Sequence, residues 1–178
     1  MYQQILEFWF EELKPAMWWK KDEQLDQLIR QRFGALHRQA ASGELWQWRA
    51  APEGRLAEII LLDQFSRNMH RDRPESFAQD GMALVLAQEA IAAAADLALP
   101  VSYRNFLYMP FMHSESLAIH ERAVVLFSTP GMEGNLDFEL RHRDILQRFG
   151  RYPHRNKILG RTSTEEELVF LTQPGSSF

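Results

Sequence analysis

The sequence predicts an all-α fold, a compact array of antiparallel helix pairs, on three observations. Apolar residues recur at helical spacing through most of the 178 residues. Helix start and stop signals separate these stretches, and no two segments show the alternation and turn residues of a β-hairpin. The connections are mostly short, which favours antiparallel neighbours. We expect one domain over residues 1–178, since a chain of this length normally forms one.

Three helices are predicted in the first third of the chain. An apolar stripe at helical spacing marks the first, and Asp22 suits the N-cap of a second helix that ends near Ser42-Gly43. Pro52 fits the first turn of a third helix, which ends at about Ser66. The stripe of the first helix consists of Ile5, Leu6, Trp9 and Leu13.

The middle of the chain predicts a long helix, a loop and a further helix. The long helix runs from about Pro74 to Ala95, and its end is rich in alanine, the best helix former. Residues 97–110 have the proline-bounded pattern of a loop. Another helix is expected from about Ser114 to Phe127.

Two helices are predicted in the last third. The first covers Leu136–Phe149 and is stopped by Gly150. Ser163 with Glu166 three residues later forms a capping box for a helix that reaches Leu171.

The charged residues are unevenly distributed, although the formal net charge is only −4. The 20 cations are 16 Arg and 4 Lys, and Arg suits bidentate recognition of carboxylate and phosphate. Seven cations stand against one anion, Asp144, from Arg141 to Arg161, and Arg67, Arg71 and Arg73 form a smaller basic run. These residues form either a solvated surface or a wall that attracts an anionic ligand. The acidic total argues against a general nucleic-acid binder.

Several classes of protein are excluded by what the sequence lacks. Without cysteine there is no disulfide scaffold and no thiolate zinc site. No apolar stretch approaches the ~20 residues of a membrane helix, and no targeting segment is recognisable, so we expect a cytoplasmic protein without membrane contact. His142-Arg143-Asp144 lacks the asparagine of a kinase loop, and His120-Glu121 lacks the second histidine of a metalloprotease. No metal or cofactor is expected.

Asp63, Arg67 and Asn68 form the first candidate cluster. Asp63 shares a helical face with apolar residues, and Arg67 follows it by four positions, the spacing of a helical ion pair. The pair either closes the end of a helix or uses a buried carboxylate to hold Arg67 towards a ligand.

His113 and Glu115 form the second candidate cluster. We expect Glu115 in the first turn of a helix, where backbone N–H groups favour a carboxylate. His113 and His120 are seven residues apart and share a face if one helix includes both. A structural histidine, a ligand contact and proton transfer remain alternatives, and a metal would need a further donor.

The third candidate cluster follows the last long helix. His142 has apolar neighbours at helical spacing, so it points into the core or a pocket, next to Arg143 and Asp144. We expect the segment of His154, Arg155 and Asn156 to be an exposed loop, where functional residues concentrate.

These motifs carry a resemblance to a known family. Ile60-Leu61-Leu62-Asp63-Gln64-Phe65-Ser66-Arg67-Asn68, Tyr108-Met109-Pro110-Phe111-Met112-His113-Ser114-Glu115 and Phe149-Gly150-Arg151-Tyr152-Pro153-His154-Arg155-Asn156 resemble the bacterial domain-of-unknown-function family 924. The resemblance implies an all-α fold similar to tetratricopeptide-repeat proteins, and it implies no activity. A binding surface would follow only by analogy of fold.

The leading hypothesis is a module that binds a small anionic molecule or an acidic peptide in one interhelical pocket. Arg67 and Arg155 would hold the anion, while Asp63 and Glu115 orient the guanidinium groups. An enzyme is the alternative, with His113 or His142 as the base, Glu115 or Asp144 as its orienting carboxylate, and activated water as the nucleophile. A third alternative is a structural network of buried polar groups. The sequence gives neither the ligand nor the oligomeric state. The pocket residues expected are Asp63, Arg67, Asn68, His113, Glu115, His142, Arg143, His154, Arg155 and Asn156.

Overall fold

A computed structural model describes residues 1–178, which form helices and no β-strand. The predicted all-α class is confirmed, whereas the likeness to tetratricopeptide repeats stays a prediction. By its internal contacts the chain divides into two compact units. The first unit consists of Met1–Arg71 and Glu75–Pro110, and the second of Asp72–Pro74 and Phe111–Phe178. None of the helices combines the length and the apolar character that a membrane span requires.

Nine α-helical segments follow one another along the chain. Two of them continue into π-helical turns, α1 into Glu7–Glu12 and α3 into Leu61–Phe65, which leads directly into α4. The segments are α1 (Gln3–Leu6), α2 (Glu23–Ala41), α3 (Pro52–Ile60), α4 (Ser66–Met69), α5 (Asp80–Ala92), α6 (Val101–Met112), α7 (Leu117–Phe127), α8 (Glu133–Phe149) and α9 (Glu165–Leu171).

The core of the first unit is built on the aromatic residues of three elements. Phe8 and Trp9 lie on the first π-helical turn, Phe33 on α2 and Phe65 on the second π-helical turn. Their ring centroids are 5.0 to 5.9 Å apart in tilted and edge-to-face pairs, the arrangements that aromatic rings prefer. All four side chains are buried, so the stretch Leu61–Phe65 is held at the centre of this unit.

The predicted helix signals are confirmed at three places. The Asp22 carboxylate accepts hydrogen bonds from the N–H groups of Gln24 and Leu25 and caps α2. Pro52 is the first residue of α3, and Gly150 ends α8 with φ of 67°. That left-handed conformation is favourable for glycine because it has no Cβ.

The structure corrects the predicted helix from Pro74 to Ala95. The regular helix α5 ends at Ala92, because Ala94 turns into the left-handed region with φ of 52°. The N–H groups of Ala94 and Ala95 then bond back to the carbonyls of Ile91 and Ala90, which closes the helix despite its alanine-rich sequence.

The prediction of a loop over residues 97–110 is wrong, because most of it is the helix α6. Pro100 precedes the helix, where its carbonyl accepts from the N–H groups of Tyr103 and Arg104. Pro110 lies inside the helix near its end. The side chains of Phe106 and Leu107 are buried, and this burial offsets the hydrogen bond that a proline removes.

Two helix starts in the second unit also differ from the predictions. The helix expected from Ser114 begins at Leu117, after the N-cap Ser116, so Glu115 lies outside its first turn. The capping box is one residue later than expected, with Thr164 at the N-cap and Glu167 at the third position. Its register is set by tertiary contacts, because the Glu167 carboxylate also binds Arg151.

The second unit is organised around the helix pair α7 and α8, which residues 128–132 connect. Ile145 and Leu146 of α8 form a small apolar core with Tyr152, and Phe149 and Phe170 pack against it. A short 3₁₀ turn, Pro153–Arg155, follows Tyr152 and contacts α9.

Candidate functional site

The candidate residues belong to both units. Asp63, Arg67 and Asn68 lie in the first unit, and the candidates from His113 to Asn156 lie in the second.

In the first unit, Arg67 is held by two carboxylates. Its guanidinium donates to Asp63 at 3.1 Å and to both oxygens of Asp80 at 2.8 and 3.0 Å. Asp63 is fully buried on the π-helical turn and also accepts a hydrogen bond from Gln64 at 2.6 Å. The predicted pair of Asp63 and Arg67 is thus confirmed, and Asp80 accepts from both terminal nitrogens of the same guanidinium.

The Asn68 side chain links α4 to α2 by a hydrogen bond. Its amide donates to the buried Asp26 at 2.8 Å, and Arg71 donates to the same carboxylate at 2.6 and 2.8 Å. The two donors satisfy the oxygens of a carboxylate that would otherwise be costly to bury.

A buried serine and histidine form a pair that the sequence did not predict. Nε2 of His37 lies 2.7 Å from Oγ of Ser66, which lies 2.6 Å from the carbonyl of Leu62. Because the carbonyl can only accept, the hydroxyl proton goes to Leu62 and His37 donates to Oγ. Burial, together with the positive charges of His70 and Arg38, lowers the pKa of His37 to about 4. The pair is therefore a structural contact and not an activated nucleophile.

A cavity of about 330 Å³ opens in the first unit. None of the predicted candidates lines it, and its two carboxylates are already used: Glu12 pairs with Arg32, and Asp22 caps α2. The lining residues are Phe8, Glu12, Leu13, Met17, Asp22, Gln24, Leu25 and Leu28.

In the second unit, the candidate residues His142 and His154 lie around Tyr152, which is fully buried. Its hydroxyl donates to the carbonyl of Met112 at 2.6 Å. We call the side chains in contact with its ring the Tyr152 cluster. The ring centroids lie 5.3 to 6.2 Å from that of Tyr152, and the guanidinium lies 4.7 Å from it. The cluster consists of His120, His142, His154, Phe178 and Arg155.

His120 and Glu139 form a buried pair, and Glu139 is a site residue that the sequence analysis missed. Nδ1 of His120 is 2.7 Å from Oε1 of Glu139, and Nε2 is 2.8 Å from the carbonyl of Ser114. Since that carbonyl can only accept, Nε2 carries a proton. Glu139 lies three residues before His142 and seven before Leu146, a helical spacing that would have predicted its burial.

Burial raises the pKa of Glu139, although His120 and Arg143 act to lower it. Burial thus shifts this carboxyl towards its neutral form, relative to an exposed glutamate. The second oxygen of Glu139, Oε2, is buried and has no hydrogen-bond partner.

His142 points into the interior of its unit, as predicted. Its Nδ1 donates to the carbonyl of Phe138 at 2.7 Å. Burial lowers the pKa of His142 to about 3, and the charges of other histidines add to this effect. The imidazole is neutral near pH 7, so Nε2 offers a lone pair, and no hydrogen bond of the protein uses it.

Arg143 is the next residue of α8, and its charge is poorly compensated. The side chain is 25% exposed, its Nε is buried without a hydrogen-bond partner, and the Asp144 carboxylate is 3.9 Å away. Asp144 itself is 68% exposed and makes no hydrogen bond to His142. We call Glu139, His142 and Arg143 the α8 triplet, because each has unused hydrogen-bonding capacity within about one turn of the helix.

Glu115 fastens the loop that carries Tyr152. It accepts from the N–H of Tyr152 at 2.7 Å and from Arg161 at 2.7 and 2.9 Å. Burial raises the pKa of Glu115, but these hydrogen bonds outweigh burial and hold it below its usual value. Glu115 thus orients Arg161, whereas the sequence analysis expected it to orient Arg67 or Arg155.

The prediction of an exposed loop is wrong for Arg155 and Asn156, which are both buried. Arg155 donates to the carbonyl of His113 at 2.9 Å. The amide of Asn156 donates to Ser163 at 3.0 Å and its oxygen accepts from Arg161 at 2.9 Å. The contact of Arg155 with His113 spans 42 residues, so local composition could not predict it, whereas these two hydrogen bonds of Asn156 reach residues only seven and five positions later.

Three of the seven cations in the basic stretch from Arg141 to Arg161 pair with carboxylates from elsewhere in the chain. Arg148 pairs with Glu166, Arg151 with Glu167 and Arg161 with Glu115, all at 2.7 to 2.8 Å. Hydrogen bonds from Arg151, Thr164 and Asn156 lower the pKa of Glu167 to about 2. Arg143 is the half-buried cation of this stretch that lacks a hydrogen-bonded carboxylate.

No group of three or more His, Asp or Glu side chains is arranged to hold a metal ion. The six histidines are used as hydrogen-bonding or packing groups where their contacts are defined.

Comparisons with known proteins place the chain in a family. The sequence profile described as a bacterial protein of unknown function, DUF924, matches residues 5–175. A solved structure of a protein of unknown function from Agrobacterium tumefaciens, ATU0120, is 40% identical, with a TM-score of 0.91 and 96% coverage of each chain. A search of curated proteins found no significant match. Because the match spans nearly all of the sequence, the chain belongs to the bacterial family DUF924.

Proposed function

We propose that this protein is a binding module for a small anionic ligand, and that the α8 triplet is its binding site. One observation carries the proposal: Glu139, His142 and Arg143 are buried or half-buried, lie on neighbouring positions of one helix, and leave hydrogen-bonding capacity unused. Buried polar groups are normally satisfied, so such a concentration within one turn favours an external partner.

The charge of Arg143 supports an anion as that partner. A guanidinium that is three-quarters buried loses hydration, and here no carboxylate replaces the lost water at hydrogen-bond distance. An anionic oxygen would accept from Nε and restore the lost interaction. The neutral form of Glu139, which burial favours, does not repel such an anion.

The other two members of the triplet require that the ligand also donates hydrogen bonds. Nε2 of the neutral His142 and Oε2 of Glu139 are both acceptors. A ligand that fits all three residues therefore combines an anionic oxygen with at least one hydroxyl group. Monoprotonated phosphate and small hydroxy acids have this combination.

The structural alternative accounts for only part of the second unit. Ion pairs of Glu115 and Glu167 fasten the loop after α8, and this is the expected behaviour of a buried polar network. A structural network does not explain why hydrogen-bonding atoms of the α8 triplet have no partner in the protein. The enzymatic alternative, with His113 or His142 as the base and Glu115 or Asp144 as the orienting carboxylate, receives no comparable support. Glu115 binds Tyr152 and Arg161, and Asp144 is exposed and lies beside Arg143.

Calorimetric titration with inorganic phosphate tests the proposal, with Arg143→Gln as the variant and Arg141→Gln as the control. Arg141 lies on the same helix, is exposed, and rests over the ring of Phe138 at 5.6 Å. We expect Arg143→Gln to weaken phosphate binding at least tenfold, since a charge-assisted hydrogen bond is lost. Arg141→Gln should change the affinity less than twofold. Equal losses in the two variants, or no binding of phosphate to the wild type at millimolar concentration, would refute the proposal.

A further inference from the structure

We infer that the ligand carries a flat ring as well as its anionic group, and that the ring of Phe178 occupies the ring subsite in this structure. This inference rests on the proposed function, because the subsite adjoins the α8 triplet through His142. The inference specifies the chemical class of the ligand. It also identifies Phe178 as a side chain that competes with the ligand ring for the same subsite.

The subsite is an imidazole and aromatic cage. The ring centroid of Phe178 lies 3.7 Å from that of His142, 4.6 Å from that of His154 and 5.3 Å from that of Tyr152. The pairs with His154 and Tyr152 are edge-to-face, and the pair with His142 is tilted by 50°. Three rings arranged around a fourth provide the kind of contact that selects a planar group.

Phe178 does not behave as a core residue in this cage. It is 53% exposed, although the Tyr152 and His142 side chains against which it rests are buried. A core phenylalanine would normally lose most of its accessible surface. The ring therefore covers the cage from the solvent side and does not complete a closed core.

Phe178 also lies only two positions after a residue that is anchored to the rest of the unit. Ser176 is buried and its hydroxyl donates to the carbonyl of Leu171 at 3.2 Å, which holds the chain against the end of α9. Only Ser177 separates this anchor from Phe178, and both residues are exposed. The ring of Phe178 thus lies close to an anchored residue but is itself exposed to solvent, where a ligand ring can compete for the cage.

His142 connects the cage with the polar site. One face of its imidazole contacts Phe178, while the lone pair of Nε2 is available at the ring edge. A ligand ring that takes the position of Phe178 places a substituent within reach of the α8 triplet. An aryl group bonded to an acidic group that keeps a hydroxyl, as in the singly ionised form of an aryl phosphate monoester, has this layout.

Binding of phenyl phosphate and methyl phosphate tests the inference. The two esters carry the same charged group and differ in the ring, so their affinity ratio isolates the ring subsite. Each is titrated by calorimetry into the wild type, Phe178→Ala and the control Leu168→Ala, whose side chain is exposed on α9. Phe178→Leu serves as a second variant, and thermal unfolding verifies that each protein folds.

In the wild type and in Leu168→Ala, we expect the two esters to bind within threefold of each other, because Phe178 fills the cage. In Phe178→Ala, phenyl phosphate should bind at least tenfold more tightly than methyl phosphate, and Phe178→Leu should show a smaller preference. A ratio near one in Phe178→Ala, with methyl phosphate still bound through Arg143, refutes the ring subsite and leaves the proposed function intact. Failure of every phosphate to bind refutes the proposed function itself.

Discussion

At the scale of single residues, the buried histidines act as neutral hydrogen-bonding groups. His142 donates to the carbonyl of Phe138, and His37 donates to the hydroxyl of Ser66. Burial disfavours the charged form in both cases and lowers the pKa to about 3 for His142 and about 4 for His37. Stability should therefore fall as the pH drops below about 6.5, the usual pKa of histidine.

The substitution His142→Asn tests this dependence. The amide nitrogen of Asn can replace Nδ1 as the donor to Phe138, but it does not titrate. Because the pKa of His142 is lower in the folded state than the usual 6.5, the unfolded state binds the extra proton. The contribution of neutral His142 is complete above pH 6.5 and is lost as the pH falls towards 3, by about 1.4 kcal/mol per pH unit.

We expect the free energy of unfolding of His142→Asn to fall less steeply than that of the wild type between pH 6.5 and pH 4. Urea unfolding at several pH values measures both slopes. The remaining slope of the variant should include the share of His37, and His37→Asn should reduce it further. Parallel curves for the wild type and His142→Asn would contradict the lowered pKa of His142 in the folded state.

At the scale of the elements, a close approach of backbones positions α3. The helix packs against the 3₁₀ turn Trp46–Ala50, and Gly54 lies at the contact. A Cβ at Gly54 would lie 2.1 Å from the carbonyl oxygen of Trp48. Because the obstacle is backbone and not a flexible side chain, α3 can approach the turn only with glycine at this position.

The pair Gly54→Ala and Gly81→Ala measures this constraint. We expect Gly54→Ala to reduce the free energy of unfolding by at least about 2 kcal/mol, because α3 or the turn must move to relieve the clash. Gly81 lies in α5, where a Cβ would meet nothing within 4 Å, so its substitution should stabilise the protein by about 0.5–1 kcal/mol. Urea unfolding checks both values, and a similar effect of the two substitutions would contradict the close approach.

Local signals predicted some elements correctly and failed where tertiary packing prevailed. Asp22 and Gly150 act through their own backbone neighbourhood, so the helix ends they predict are found in the structure. The helix α6 was missed because Pro100 and Pro110 resemble helix breakers, while the burial of Phe106 that supports the helix depends on distant residues.

At the scale of the whole molecule, the division into two units falls inside α6, after Pro110. The sequence predicts a single domain, whereas the contacts divide the chain into two units. The cooperativity of unfolding therefore tests the prediction.

We expect differential scanning calorimetry to record one unfolding transition, with equal calorimetric and van't Hoff enthalpies. His37→Asn marks the first unit and His142→Asn the second, and each should shift the same transition at pH 5. Two transitions, each sensitive to only one of the substitutions, would establish two domains.

The charge distribution along the sequence and the ion pairs of the folded protein lead to different conclusions about an anion-binding surface. Seven cations between Arg141 and Arg161 suggested a surface that attracts anions. Carboxylates brought in by folding neutralise several of them, among them Glu115 and Glu167. Among the other cations of this stretch, Arg143 has a partly buried side chain without a hydrogen-bonded carboxylate.

By itself the sequence determined the all-α class, the family, several helix ends and the pair of Asp63 and Arg67. These depend on periodicity, on caps and on spacing within one helix, which are interactions between near neighbours. Only the tertiary structure decided that His120 pairs with Glu139, that Glu115 binds Arg161, and that His142 is covered by Phe178. The reason is that these partners are 19 to 46 residues apart in the sequence, so the packing of the helices chooses them.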